Sequence, residues 1–295
     1  MESTWLPLGP SIERVLDVCD DPMGTLARGE VPALLVRKAY PPEQCREIVN
    51  HFYERGLVPG LPKPGELIPE RPKIERVDVG TSLGNLGKKP EEFFEGSKAT
   101  HELYETLFEG LNNPIDLMYG AMERLAPGKK AMVAREPDGR LYGPVIFRCH
   151  LPHWGYSPHI DSVRKREKRT NYEVHRFEHQ LAGILLLQPP ERSEGYCDSI
   201  LHKCPWNDKV AEIMKTDLLG RRDKEGIVID PKGFAKYAQE NNIKNYRMIL
   251  EAGDMYFFNS EMLHEIPRFD GHSPRIVMAT FFGYSPDDPE IYVWA

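Results

Sequence analysis

Glu251-Ala252-Gly253-Asp254-Met255-Tyr256-Phe257-Phe258-Asn259 reads as a tight turn feeding an apolar strand, and it delivers the chain to Leu263-His264-Glu265-Ile266-Pro267. Ser273-Pro274-Arg275 then opens a further strand, Ile276-Val277-Met278-Ala279-Thr280-Phe281-Phe282. A guanidinium entering so apolar a strand needs a partner, because an unpaired buried charge is very costly. A carboxylate ligand would be such a partner. Upstream lies His159-Ile160-Asp161, whose first and last side chains point to one face of a continuous strand. An H-x-D triplet alone is a weak signal, and a lone histidine is more often structural. Together, two imidazoles and one carboxylate can occupy one face of an Fe(II) octahedron and leave the opposite face open for a co-substrate and dioxygen. Arg275, eleven residues beyond His264, offers two parallel donors to the far carboxylate of that co-substrate.

Working outward, the region after Gly139 is a series of short strands. Val145 to Leu151 is β-branched and aromatic, and Leu181 to Leu187 has the length of a buried strand. Tyr196 to His202, Arg247 to Leu250, Met255 to Phe258, Arg275 to Tyr284 and Ile291 to Trp294 complete the series, with helical insertions expected at Val210–Leu218 and Gly233–Glu240. Before Gly139 the texture is helical. Glu43 to Arg55 carries Cys45, Ile48, Val49 and Phe52 at helical spacing with Gly56 placed to stop it, and helices follow at Glu91–Leu111 and Pro114–Leu125. Between them, Val58 to about Pro90 is rich in Gly, Pro, Lys and Glu. Pro59, Gly60, Pro62, Pro64, Gly65, Pro69 and Pro72 are expected to forbid regular structure and to leave a long surface excursion bordering a site.

Helices first, then many strands housing a buried metal, predict a mainly β chain with flanking helices. The expected architecture is a double-stranded β-helix (jelly roll, cupin-like) with a helical N-terminal flank. One domain over 1–295 is expected, with 1–140 as flank and 141–295 as the jelly-roll core carrying a helical insertion near 208–240.

Composition narrows the function classes. The 295 residues are 40% hydrophobic and 28% charged, within the ordinary globular range. A formal net charge of −7 and a pI near 5.9 argue against a nucleic-acid partner. No apolar run approaches the roughly 18 residues of a membrane span, and the N-terminus has neither a basic region nor an apolar signal core. The chain therefore reads as cytoplasmic, with no membrane partner. Cys19, Cys45, Cys149, Cys197 and Cys204 lack the spacing of a zinc site or a disulfide framework and read as reduced, mostly packed thiols.

The order H-x-D, Gly-Asp turn and strand, His, then Arg eleven residues on resembles the Fe(II)/2-oxoglutarate-dependent oxygenases, whose fold is the double-stranded β-helix. The run from Gly253-Asp254-Met255 through Asn259, His264 and Ser273-Pro274-Arg275 to Ile291-Tyr292-Val293-Trp294 looks closest to the freestanding halogenases and hydroxylases of the welwitindolinone alkaloid type. The resemblance covers about Tyr142 to the C-terminus. It implies that His159, Asp161 and His264 bind Fe(II) and act catalytically, and that Arg275 holds 2-oxoglutarate. It further implies that an unactivated C–H bond of a small molecule is oxidised with O2 while 2-oxoglutarate yields succinate and carbon dioxide. A natural product or amino-acid derivative is the expected substrate class.

Two departures from that group bear on the chemistry. Its halogenases carry glycine where this chain has Asp161, and the carboxylate fills the place that halide would need, so hydroxylation is expected rather than halogenation. Val277 stands where many relatives carry Ser or Thr, so the co-substrate pocket is expected to be completed from another strand. Arg148, His150 and Thr280 are candidates by location, Arg148 and Thr280 being assigned to co-substrate binding. The pocket walls are expected from loop 58–90, His153-Trp154-Gly155-Tyr156 and loop 188–206. Arg164-Lys165-Arg166-Glu167-Lys168-Arg169 reads mainly as a solvated charged face, with attraction of an anionic substrate as the alternative. His175 and His179 would share a face of a helix, a weak zinc signal. Oxidative cyclisation or desaturation is an alternative outcome of the same chemistry. A cupin-like metal binder without 2-oxoglutarate is a further alternative, against which Arg275 argues. A protein-modifying hydroxylase lacks an evident peptide-docking module.

Overall fold

A computed structural model describes residues 5–295 apart from 64–65, 67–73, 167, 192–195 and 216–230. Pro64, Gly65, Pro69, Pro72, Glu167 and the far end of the helix expected at Val210–Leu218 lie outside the described residues. In chain order the strands are β1 (Leu34–Val36), β2 (Arg76–Val79), β3 (Lys130–Val133), β4 (Ile146–His150), β5 (Tyr156–His159) and β6 (His179–Gln188). They continue with β7 (Ser199–Pro205), β8 (Asn245–Met248), β9 (Met255–Asn259), β10 (Met262–Ile266), β11 (Arg275–Tyr284) and β12 (Glu290–Trp294).

The strands form two sheets facing each other as a jelly roll. The larger has eight strands, running β1-β9-β6-β11-β12-β3, with β4 also paired to β11 and β2 to β4. The smaller runs β5-β10-β7-β8. Strand β11 is the spine: one side pairs with β6 along its length, while the other is shared between β4 and β12. Its side chains alternate, as the two-residue period of a strand requires. Val277 and Ala279 face the other sheet together with Ile146, Ala182, Leu186 and Phe258. Ile276, Met278 and Phe282 face the helical layer.

That layer is built from α1 (Ile12–Val18), α2 (Pro22–Ala27), α3 (Pro42–Glu54), α4 (Leu83–Leu86), α5 (Pro90–Leu107) and α6 (Pro114–Leu125). The stripe Cys45, Ile48, Val49 and Phe52 of α3 is buried, and the edge of the Phe52 ring meets Phe147 at 5.0 Å between centroids. Helix α6 starts at Pro114 behind an Asn113 cap whose side chain accepts from Ile115 N–H, as expected for proline in a first turn. The insertions α7 (Asp208–Lys215) and α8 (Pro231–Glu240) lie beside the smaller sheet.

Three expectations are corrected. Val58 to Pro90 is not wholly irregular, because Arg76–Val79 pairs with β4 and Leu83–Leu86 forms a helical turn capped by Ser82. His175 and His179 share no helix: the first lies in a 3₁₀ turn, Glu173–Arg176, and the second opens β6. The charged run after Asp161 is a solvated face only in part, with Arg164, Lys165 and Lys168 exposed but Arg166 and Arg169 drawn inward. Arg164 donates to Phe177 O, Lys165 pairs with Glu261, Arg166 with Asp161, and Arg169 is buried against the carbonyls of Leu83 and Gly84.

The Gly253-Asp254 turn is set by backbone geometry. Gly253 has φ +88°, and a Cβ there would stand 2.0 Å from Tyr40 O. Only glycine combines that conformation with so close an approach. Asp254 then accepts from Lys38 N–H and Glu251 N–H and pairs with Arg37, fixing the start of β9. Among the described residues, no helix is long and apolar enough to cross a membrane.

Candidate metal centre

Strand β5 ends at His159 and β10 carries His264, and the two are direct partners in an antiparallel ladder. Opposed residues of such a pair present their side chains to the same face. Asp161 lies two residues past the strand end. Its N–H donates to Ser260 O and its carbonyl accepts from Ser260 Oγ, so the loop between β9 and β10 latches it in place. One donor atom from each of His159, Asp161 and His264 lies within 4.8 Å of the others. Asp161 Oδ2 is 3.7 Å from His159 Nε2 and 3.4 Å from His264 Nε2.

The surrounding hydrogen bonds settle which atoms are available. His159 Nδ1 meets Ser157 O at 2.8 Å and His264 Nδ1 meets Met262 O at 3.0 Å. A carbonyl only accepts, so each Nδ1 carries a proton, and each Nε2 is the ring atom that faces the shared centre. Arg166 donates to Asp161 Oδ1 at 3.2 Å and to Ile160 O, which leaves Oδ2 for the centre. Burial, reinforced by the neighbouring His264, holds His159 down to about 4, so the ring is neutral at neutral pH. Burial alone would raise Asp161, but His159, His264 and Arg166 hold it well below the usual carboxylate range. Two imidazoles presenting Nε2 and one carboxylate are a donor set suited to Fe(II).

These residues line a cavity of about 510 Å³ between the sheets. Arg275 lines it too, 2% exposed, with its Nε 3.4 Å from Asp198 Oδ1. Asp198 is fully buried and also accepts from Tyr196 Oη and Leu250 N–H. Around Arg275 stand His150, its partner in register on β4, and the hydroxyl pair Ser199 and Tyr256, 3.1 Å apart. Burial, with Arg275, Arg76 and Arg148 adding to it, pushes His150 well below its ordinary value. These groups come from strands other than β11, where Val277 supplies no hydroxyl.

The remaining candidates fall out differently. Arg148 lines the cavity on β4, opposite Val277. Thr280 also lines the cavity, although it is one residue out of step with Arg275, Val277 and Ala279 and its hydroxyl is bonded to Trp294 O at 2.7 Å and to Pro144 O. Tyr156 lines the cavity and takes a hydrogen bond from Arg76, whereas Trp154 is exposed. Arg76, Gly84 and Asn85 bring the segment before α5 to the cavity, and Ser199 brings β7. Asp198 and Arg166 were the functional partners that sequence reasoning missed. The need of Arg275 for a buried partner was the signal for Asp198, though it pointed to a ligand instead. Nothing in the charged run distinguished Arg166.

The family model for the carrier-protein-independent halogenase WelO5 matches residues 5–295. No curated protein matches the sequence. Among solved structures, a novel N-substituted L-amino acid dioxygenase from Burkholderia ambifaria AMMD is similar, with 16% identity and a TM-score of 0.56. The structure of that type in complex with alpha-KG, from the same organism, is 16% identical with a TM-score of 0.54. In each case the match covers 92% of this chain and 90% of the other.

Proposed function

This chain belongs to the carrier-protein-independent halogenase (WelO5) family of Fe(II)/2-oxoglutarate-dependent oxygenases, and from that premise we propose that it hydroxylates an unactivated C–H bond of a small molecule rather than halogenating it. The observation that carries this reading is Asp161. Its carboxylate converges with His159 and His264, where the halogenases that the sequence resembles have glycine. A third protein donor at Asp161 would take the place that a halide would otherwise need.

In this reading His159, Asp161 and His264 hold Fe(II), and Arg275 receives the far carboxylate of 2-oxoglutarate. Fe(II) with 2-oxoglutarate and dioxygen supplies the oxidising power that turns R–H into R–OH, with succinate and carbon dioxide as the other products. The protein contributes position and exclusion of water. Arg166 restrains Asp161 through Oδ1, and the carbonyls of Ser157 and Met262 fix both imidazoles. Asp198 orients the Arg275 guanidinium through Nε, so that its terminal nitrogens are the ones left for a ligand. Ile146, Ile184, Phe258, Val277, Ala279 and Phe281 form the apolar part of the cavity wall.

The reading is tested by supplying Fe(II), 2-oxoglutarate, oxygen and chloride with a library of natural-product and amino-acid-derived compounds, and following succinate and product mass. Succinate with a product one oxygen heavier is expected. A chlorinated product, or no succinate with any compound, would overturn it.

A further inference from the structure

Among the described residues, four guanidinium groups reach the cavity: those of Arg76, Arg148, Arg166 and Arg275. Three are matched to side-chain carboxylates, Arg76 to Asp78 at 2.6 Å, Arg166 to Asp161 at 3.2 Å and Arg275 to Asp198 at 3.4 Å. Arg148 is not. Among the described residues it has no hydrogen bond and no ion pair, and its Nε is sealed from solvent with no acceptor. A cation left in that state is costly, and the cost is recovered only when a ligand brings the counter-charge.

The register separates this group from the one assigned to 2-oxoglutarate. Arg275 faces His150 across the β4–β11 ladder, whereas Arg148 faces Val277, one inward position further along. The side chains that act most on Arg148 are those of Arg76, Asp78, Asp161 and Tyr156, on the metal side of the cavity. Burial first, and then Arg76, make its charged form harder to sustain. Beside it, Ile146 on β4 and Ala279 on β11 present an apolar wall.

We propose that Arg148 receives a carboxylate on the substrate, while Ile146, Ile184, Ala279 and Phe281 take the substrate's apolar body beside the metal. This rests on the reading of the site as an iron and 2-oxoglutarate centre. One unmatched monocation calls for one monoanion, and a planar guanidinium fits a carboxylate through two parallel hydrogen bonds. A phosphate monoester dianion would leave a charge uncompensated in the cavity. Arg76 sets the surroundings of this anchor: its Nη1 donates to Tyr156 Oη at 3.0 Å and its Nη2 to Asp78, so it is held in place and spent.

The test is a thermal-shift titration of the full chain with Mn(II) and saturating 2-oxoglutarate. The probes are hexanoate, N-acetyl-L-leucine and N-acetyl-L-phenylalanine, each against its primary amide, with phenyl phosphate as a separate arm. At least one acid should stabilise the protein, and its amide should bind roughly 10-fold or more weakly, the loss expected of a charge-assisted hydrogen bond. Arg148→Gln should abolish the acid's advantage, Arg148→Lys should keep part of it, and both should leave half-saturation by 2-oxoglutarate unchanged. Equal binding of acid and amide, no stabilisation by any acid, or phenyl phosphate binding in place of the acids would overturn the assignment. So would a tenfold rise in the 2-oxoglutarate requirement of Arg148→Gln, which would put Arg148 on the co-substrate. Failure of the unsubstituted protein to bind 2-oxoglutarate at all would instead strike the reading of the metal site.

Discussion

His159 and His264 stand directly opposite one another across the antiparallel β5–β10 ladder, with ring centroids 4.4 Å apart. A sequence separation of more than a hundred residues is thereby reduced to one cross-strand pair, and Asp161 needs only the end of β5 to join it. The main chain does the positioning, because both Nδ1 atoms are tied to carbonyls of their own strands.

Replacing either imidazole should therefore remove a ligand without unfolding the sheet. His159→Ala and His264→Ala are expected to weaken Mn(II) binding by more than about 100-fold, beyond the loss usual for partners behind the ligands. Calorimetric titration of each variant under matched conditions checks this, and near-native affinity in both would remove the pair from the metal.

In the proposed centre Arg166 would act on the metal through Asp161. Arg166→Leu frees Oδ1 and removes the nearest positive charge, and the expected loss of Mn(II) affinity is about 10-fold or more. Arg166→Lys should recover part of it. An unchanged affinity in Arg166→Leu would mean that the Ser260 latch alone holds the carboxylate.

The Arg275–Asp198 pair is buried on both sides. Asp198→Asn leaves the guanidinium without its counter-charge and should cost roughly 3–5 kcal/mol of stability, as breaking a buried pair does. It should also raise the 2-oxoglutarate concentration needed for half-saturation, whereas Arg275→Ala should raise that concentration more. Urea unfolding together with a 2-oxoglutarate titration separates the two effects.

His150 gives a pH prediction whose sign is fixed. Its folded value lies well below the ordinary 6.5, so below about 6.5 the unfolded chain takes a proton that the folded chain refuses. The folded state is unaffected by this group above that pH and loses stability as the pH falls through it. His150→Gln should flatten the decline of melting temperature between about pH 7.5 and 5 relative to the parent. A parallel decline in both proteins would show that His150 is protonated in the fold.

Local signals carried much of this structure. Arg275–Tyr284 and Pro114–Leu125 have the bounds that their sequences predict, since an apolar β-branched run and a proline-led amphipathic stretch each carry their own instructions. Arg76-Val77-Asp78-Val79 does not. It becomes a strand only because β4 offers it a ladder, and the Pro- and Gly-rich context argued the other way. Lys130–Val133 likewise depends on its parallel pairing with β12. Within the site, the iron-binding pattern was legible because histidine, aspartate and arginine are distinctive at those spacings. Asp198 was not, since nothing local marks one acid among many as the partner of an arginine 77 positions away. Arg166 was concealed for a similar reason: it lies in a basic run whose members each turn to a different part of the fold.

The most direct test of the centre built from His159, Asp161, His264 and Arg275 is anaerobic absorption spectroscopy of the full chain with Fe(II) and 2-oxoglutarate. A visible metal-to-ligand band should appear on adding 2-oxoglutarate, vanish in His264→Ala, and require much more 2-oxoglutarate in Arg275→Ala. No band in the parent protein, or an equal band at equal 2-oxoglutarate in both variants, would contradict the account.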